Sequence, residues 1–239
     1  MPRRTARCTP AGHDLHVSGL VGAAQLLASV RDSIAGSVIF MFQPGEESGG
    51  GARQMLDEGL LDAAGERPVA AYGIQVVPGE RGTFWTRPGT IMAGANVLEV
   101  TVRGRGGHSS TPQEAIDPVP ALAHVITALQ TFAAGRFAPF KPVVISVTAL
   151  EAGEASNIIS DSATLRATVR TAVRESIDVL RRELPVLVNG IAEAYRCTAN
   201  VDFRVGYRVT VNDAELAERP SPWWAVCSVR TGRCVGLSR

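Results

Sequence analysis

Ser37-Val38-Ile39-Phe40-Met41-Phe42-Gln43-Pro44-Gly45-Glu46-Glu47-Ser48-Gly49-Gly50-Gly51-Ala52 is the stretch whose reading decides the fold. Its first six residues are apolar, β-branched or aromatic apart from Ser37, and Pro44 stops them, which predicts a buried strand over 37–42. Two adjacent carboxylates and three glycines follow. Acidic side chains at the C-terminal end of a buried strand are costly unless a cation or a reaction needs them. In open α/β sheets that edge is where ligands bind. Adjacent side chains diverge, so one carboxylate can ligate a metal while the other faces the water. The plainer alternative is a solvated acidic turn.

Outward from this stretch, Val17, Leu20, Val21, Ala24, Leu27 and Ala28 recur at helical spacing and predict a helix over 16–31. His13 then lies in the loop feeding that helix, and Asp14 either caps it or holds the His13 imidazole. A helix is expected over 49–59 and a second apolar strand over 69–77. Helix, strand, helix, strand in this order argues α/β with parallel pairing.

Another pattern begins near Gly89. Leu98, Val100 and Val102 alternate with Glu99, Thr101 and Arg103, the mark of a half-buried strand over 96–104. The turn Arg103-Gly104-Arg105-Gly106-Gly107-His108-Ser109-Ser110 presents one histidine. Asp117-Pro118 opens a helix reaching about residue 134, with Asp as cap and Pro at the first position. Strands are expected over 143–150, 163–172 and 199–211, a long amphipathic helix over 174–196, and a short helix over 214–218. Residues 96–211 thus read β-α-β-β-α-β, the split βαβ pattern of a ferredoxin-like domain. Residues 220–239, with Trp223 and Trp224 side by side, carry no period and read as irregular.

Composition bounds the rest. The 239 residues are 45% hydrophobic and 20% charged, suited to one large or two small globular domains. A net charge of +1 gives no sign of nucleic acid or of an anionic membrane. No apolar run is long enough to span a bilayer, and the basic first nine residues lack the apolar segment of a secretory signal. Cys8, Cys197, Cys227 and Cys234 are too scattered for a disulfide or zinc framework. A cytoplasmic protein is the default expectation.

Gly12-His13-Asp14, Gln43-Pro44-Gly45-Glu46-Glu47, Tyr72-Gly73-Ile74-Gln75-Val76-Val77-Pro78, Gly106-Gly107-His108 with Asp117-Pro118, and Asn157-Ile158-Ile159 with Thr168-Val169-Arg170 follow one another in order. Together they resemble the co-catalytic metal amidohydrolases: hippurate hydrolase, N-acyl-amino-acid amidohydrolase and the plant auxin-conjugate hydrolases. The resemblance covers about residues 12–213. It implies a catalytic α/β domain interrupted by a lid that dimerises, two divalent ions of zinc or manganese type, and hydrolysis of an N-acyl-amino-acid or small peptide amide. It implies that Glu46 is the general base and that His13 and Glu47 are metal ligands. His108 would steady the oxyanion, reaching into the partner subunit's site, and Asn157 and Arg170 would contact substrate. His16 and His124 are read as structural. The domains expected are 1–93 (partial catalytic, metal-binding), 94–211 (lid and dimerisation) and 212–239 (return to the catalytic domain, irregular).

Several positions depart from that pattern. Ala11 stands where the family carries a cysteine and Gln75 where it carries a histidine ligand. Of the ligands expected, His13 and Glu47 remain, and a tetrahedral zinc site takes about three protein ligands plus water. The family has more catalytic domain before Gly-His-Asp and a histidine from a C-terminal segment, so truncation at both ends is expected. The family's Met-His-Ala-Cys read one base out of frame gives Cys-Thr-Pro-Ala, the order of Cys8 to Ala11; residues 1–11, and the tail from about Pro220, are therefore expected to be frameshifted. The contrasting expectation is an inactive remnant in which only the lid folds and dimerises.

Overall fold

The computed structural model describes residues 12–46, 50–80 and 83–218. It is a mixed α/β chain in two units, residues 1–83 and 84–239.

In the first unit α1 spans His13–Ser29 and α2 spans Gly51–Asp57, each followed by a 3-10 turn, Arg31–Ser33 and Leu60–Asp62. α1 starts earlier than its apolar period suggests, so His13 is its first residue. Gly12, in the left-handed region at φ 77°, takes the N-cap position, and its carbonyl accepts the His16 amide at 3.0 Å. Asp14 therefore lies inside the first turn, where the helix dipole favours a carboxylate, and makes no side-chain cap. α2 is shorter than its expected span. Its Gly51 has no room for a side chain, because a Cβ there would overlap the Pro44 carbonyl.

The strands expected over 37–42 and 69–77 do not form, and neither does their parallel pairing: every ladder among the described residues is antiparallel. A strand exists only through the neighbour that accepts its hydrogen bonds, and no strand lies in the described part of this unit. In the first run Val38 and Phe42 are exposed while Ile39, Phe40 and Met41 are partly buried; in the second, Val69, Tyr72 and Ile74 are more than three-quarters exposed.

The second unit holds β1 (Gly89–Met92), β2 (Gly94–Arg103), β3 (Gly107–His108), α3 (Pro118–Arg136), β4 (Val143–Glu151), β5 (Ile158–Ile159), β6 (Ser162–Thr171), α4 (Ser176–Ala194), β7 (Thr198–Tyr207), β8 (Thr210–Asn212) and α5 (Ala214–Glu218). One four-stranded antiparallel sheet runs β4-β6-β2-β7. The expected strand over 199–211 is split: β7 pairs with β2 as far as Ala95, then β8 turns away to pair with β1.

Alternation sets the two faces. Leu98, Val100 and Val102 of β2 and Leu165 and Val169 of β6 are fully buried beneath α3 and α4. α4 answers with Leu180, Leu184, Val188 and Ala192, a four-residue repeat along one stripe. Asp117 caps α3, its Oδ1 accepting the Val119 amide at 2.9 Å, and Pro118 fills the first helical position. The other sheet face is polar. There Arg166 reaches Glu99 at 3.2 Å and Glu151 at 2.8 Å. Buried Asn96 donates to the Val169 carbonyl at 3.0 Å, while its Oδ1 has no partner among the described residues.

Across the outer sides of the helices, Arg136 of α3 grips Glu183 of α4 with both prongs, at 2.6 and 2.7 Å, and Arg182 adds a third bond at 2.8 Å. These hydrogen bonds, Arg136 first, lower the Glu183 carboxyl from the ordinary 4.5 to about 2. The carboxyl is easier to ionise folded than unfolded, so its contribution is present above pH 4.5 and is lost as pH falls through about 2. Between those values, the denaturant midpoint of Glu183→Gln is expected to fall less steeply with acid than that of the parent, as read by titrating unfolding at stepped pH. Both arginines are exposed and Glu183 is only partly buried, so the difference is small.

Candidate functional site

Two clusters gather the residues singled out by the sequence, one in each unit. In the first unit, the start of α1 and the loop after Phe42 bring His13 and Glu46 together. His13 Nε2 lies 3.3 Å from Glu46 Oε2, with both side chains about half exposed. The motif around Gln75 closes on the same place. The Val76 amide donates to His16 Nε2 at 2.8 Å, and a Cβ at Gly12 would lie 3.2 Å from Val76 Cβ. That bond occupies the Nε2 lone pair of His16, in keeping with its structural reading. The His13 and His16 rings sit 6.0 Å apart. Glu47 and Ala11, and the residues assigned to a shifted frame or an irregular tail, lie outside the described residues.

In the second unit, β3 and β5 form a two-stranded ribbon that continues β2 and β6 past their ends. His108 pairs with Ile158, Gly107 with Ile159, and the Ser109 amide donates to the Asn157 carbonyl at 3.0 Å. This ribbon sets His108 beside Asn157 although 49 residues separate them in sequence. The glycines before His108 allow it: at Gly104 a Cβ would overlap the Ile116 carbonyl, where the backbone bridges Arg105 to Ile116. The turn 108–111 closes through the Thr111 amide and the His108 carbonyl at 3.1 Å. The imidazole is exposed, and its Nδ1 meets the Ser110 hydroxyl at 2.7 Å and the Ser110 amide at 3.2 Å. Sequence reasoning overlooked Ser110; the only signal was its place two residues after the histidine.

Arg170 is not part of this cluster. It sits near the far end of β6, opposite Ala95 and Val144, with its side chain on the open sheet face. Eight residues of strand separate it from Ser162 at the ribbon end, about 27 Å at roughly 3.4 Å per residue. A depression of about 380 Å³ borders the ribbon and is lined by Ser109, Asp117, Glu154, Ser156 and Ser160 among others. The larger groove, about 760 Å³, lies between α3 and α4, around Tyr195 and His124, the latter read as structural, and carries none of the proposed catalytic, metal or substrate residues.

Metal binding can be tested on the donor set. No three His, Cys, Asp or Glu side chains among the described residues converge as a metal site. Of the two ligands expected, His13 is described and Glu47 lies outside the described residues, and Gln75 is a neutral amide. A tetrahedral zinc site takes about three protein ligands, so the described residues hold part of such a set and not the whole. No helix among the described residues is long and apolar enough to cross a membrane.

Comparison with known proteins agrees with the order of motifs. The sequence profile of peptidase family M20/M25/M40 matches residues 9–220. IAA-amino acid hydrolase ILR1-like 5 of Arabidopsis thaliana is 37% identical over 194 residues, covering 80% of this chain and 43% of the plant protein. Thermostable carboxypeptidase 2 of Saccharolobus solfataricus is 36% identical over 215 residues, covering 87% of this chain and 53% of its own. Among solved structures, a dinuclear metal-binding peptidase of the M20 family from Bacillus subtilis superimposes with a TM-score of 0.69 at 29% identity, covering 87% of this chain and 51% of that one. The chain spans about half the length of the curated relatives it matches. On the extent of the profile match and on these likenesses, the chain belongs to peptidase family M20/M25/M40.

Proposed function

We propose that the chain acts in the hydrolysis of N-acyl-amino-acid or small peptide amide bonds, in an enzyme that uses a divalent metal of zinc or manganese type. The observation that carries this reading is the convergence of His13 and Glu46, 33 residues apart in sequence, to 3.3 Å. In the reaction proposed, water adds to the amide carbon and Glu46 takes its proton. Negative charge builds on the carbonyl oxygen, where His108 donates a hydrogen bond. Glu46 returns the proton to the departing amine as the C–N bond breaks. Glu47 and His13 are the proposed ligands.

Residues 94–211 are proposed as a ferredoxin-like lid and dimerisation domain, between a partial catalytic domain over 1–93 and a return to it over 212–239. The strand order β4-β6-β2-β7, with a helix before β4 and another before β7, supports the lid reading. The β1–β8 ribbon, where the chain enters and leaves this region, supports its bounds. Asn157 and Arg170 are proposed as substrate contacts. The length of strand between Arg170 and the His108 ribbon favours a homodimer in which these two side chains serve different copies of the site. An N-acyl amino acid is too short to touch both within one chain.

The test is direct. The purified chain, incubated with zinc or manganese and desalted, is expected to retain metal by elemental analysis, to hydrolyse an N-acetyl or N-benzoyl amino acid, and to elute as a dimer. A chain that retains neither metal nor activity overturns the proposed function.

A further inference from the structure

We propose that Ser110 is a positioning residue that holds His108 in the tautomer with its proton on Nε2. The inference rests on the reading of His108 as the donor to the oxyanion. It adds the group that makes the imidazole a donor at that atom.

The turn 108–111 carries the argument through its amides. Ser109 N–H donates to the Asn157 carbonyl at 3.0 Å and Thr111 N–H to the His108 carbonyl at 3.1 Å. The amide between them, that of Ser110, donates to His108 Nδ1 at 3.2 Å. A backbone N–H can only donate, so Nδ1 must offer its lone pair. The contact of 2.7 Å between Nδ1 and the Ser110 hydroxyl is then also directed, with the hydroxyl donating to the same lone pair. A proton on Nδ1 would point at the amide hydrogen. The neutral ring therefore carries its proton on Nε2.

Nε2 has no hydrogen-bond partner among the described residues, and the ring is exposed. One edge of the imidazole is anchored to its own turn, and the opposite edge presents a donor outward. The β3–β5 ribbon fixes the backbone beneath it. A donor set in advance at a fixed place is the form that oxyanion stabilisation takes, because no reorganisation is needed as charge develops.

The experiment reads the ring nitrogens of the full chain by 15N–1H correlation at a pH where the imidazole is neutral. His108 is assigned by the signals lost in His108→Gln. In the parent, the two nitrogens of His108 are expected at their widest separation, with the proton on Nε2. In Ser110→Ala the amide of residue 110 is left as the remaining donor to Nδ1, so the two nitrogens are expected to draw together in part as the other tautomer gains population; Ser110→Thr, which keeps the hydroxyl, restores the separation. A parent ring protonated on Nδ1 overturns the proposal, and so does a Ser110→Ala spectrum matching the parent. Unchanged β3–β5 amide shifts show that the ribbon has kept its fold. If the chain hydrolyses N-acyl amino acids, Ser110→Ala should lower kcat about tenfold, the worth of roughly one hydrogen bond, with KM unchanged. If the tautomer behaves as described while the chain hydrolyses nothing, the proposed function fails and the role of Ser110 in fixing the ring stands.

Discussion

Glu46→Gln is expected to lower kcat/KM for an N-acyl amino acid by about 10²- to 10⁴-fold, the usual worth of a general base. The substitution keeps the shape of the side chain and an oxygen able to meet His13, so the 3.3 Å contact can persist. What disappears is the capacity to take a proton. Glu46→Asp keeps that capacity and withdraws the carboxylate by one methylene, so a partial loss is expected. Retained metal content in both variants separates lost proton transfer from lost binding. A Glu46→Gln chain that hydrolyses as fast as the parent would remove Glu46 from the mechanism. The same variant tests the proposed dimer. Mixed with His108→Gln, refolded subunits should regain about a quarter of parental activity if the two residues serve one substrate from different chains. Half of the randomly mixed dimers then hold one intact site out of two. No recovery on mixing would place both groups in the same chain.

How much of this was legible in the sequence differs between the two units, for a physical reason. In the second unit each element carries its own period. Leu98, Val100 and Val102 alternate; Leu180, Leu184 and Val188 repeat every fourth residue; Asp117-Pro118 marks a helix start. These features are local, and the structure realises them nearly to the residue. In the first unit the apolar runs at 37–42 and 69–77 have strand character, but strand formation depends on a neighbour. A period describes what a segment would bury, not whether anything is there to bury it against. The split of the last strand is another such case. Val201, Phe203, Val205, Val209 and Val211 read as one run, yet the pairing with β2 shifts register at Gly206, where a Cβ would overlap the Ala95 carbonyl, and ends at Tyr207.

The candidate site divides along the same line. His13, Glu46 and His108 are marked by motifs whose residue types state their chemistry. That His108 stands beside Asn157, and far along the sheet from Arg170, follows from strand register, which no motif encodes. The state of the imidazole is further from view. It depends on which nitrogen meets a backbone N–H, a matter of one turn's geometry.

Leu180→Ala is expected to destabilise the second unit by about 2–5 kcal/mol. The side chain has no exposed surface and projects from the buried stripe of α4, the helix that packs against β7 and α3, so truncation removes transfer energy and leaves a cavity. Collapse around the gap is limited by the β-branched part of the core, Val100, Val102, Val125, Val169 and Val188, which has little rotamer freedom, although Leu98, Leu129, Leu165 and Leu184 share that core. The cost should therefore lie above the bare area term. Val186, on the same helix and 72% exposed, provides the control; its replacement by alanine should shift stability by less than about 0.5 kcal/mol. Because the chain has two units, one melting curve can mix two transitions. Native-state hydrogen exchange at the amides of Leu98, Val100 and Val102 reads the second unit alone. Their protection should fall at least about 30-fold in Leu180→Ala, the lower end of that range at tenfold per 1.4 kcal/mol. If the loss is confined to α4 while β2 stays protected, the helix unfolds separately from the sheet, and the unit is not cooperative across that interface. If β2 loses protection with it, sheet and helix are one folding unit, and the ribbon carrying His108 depends on α4 for its place.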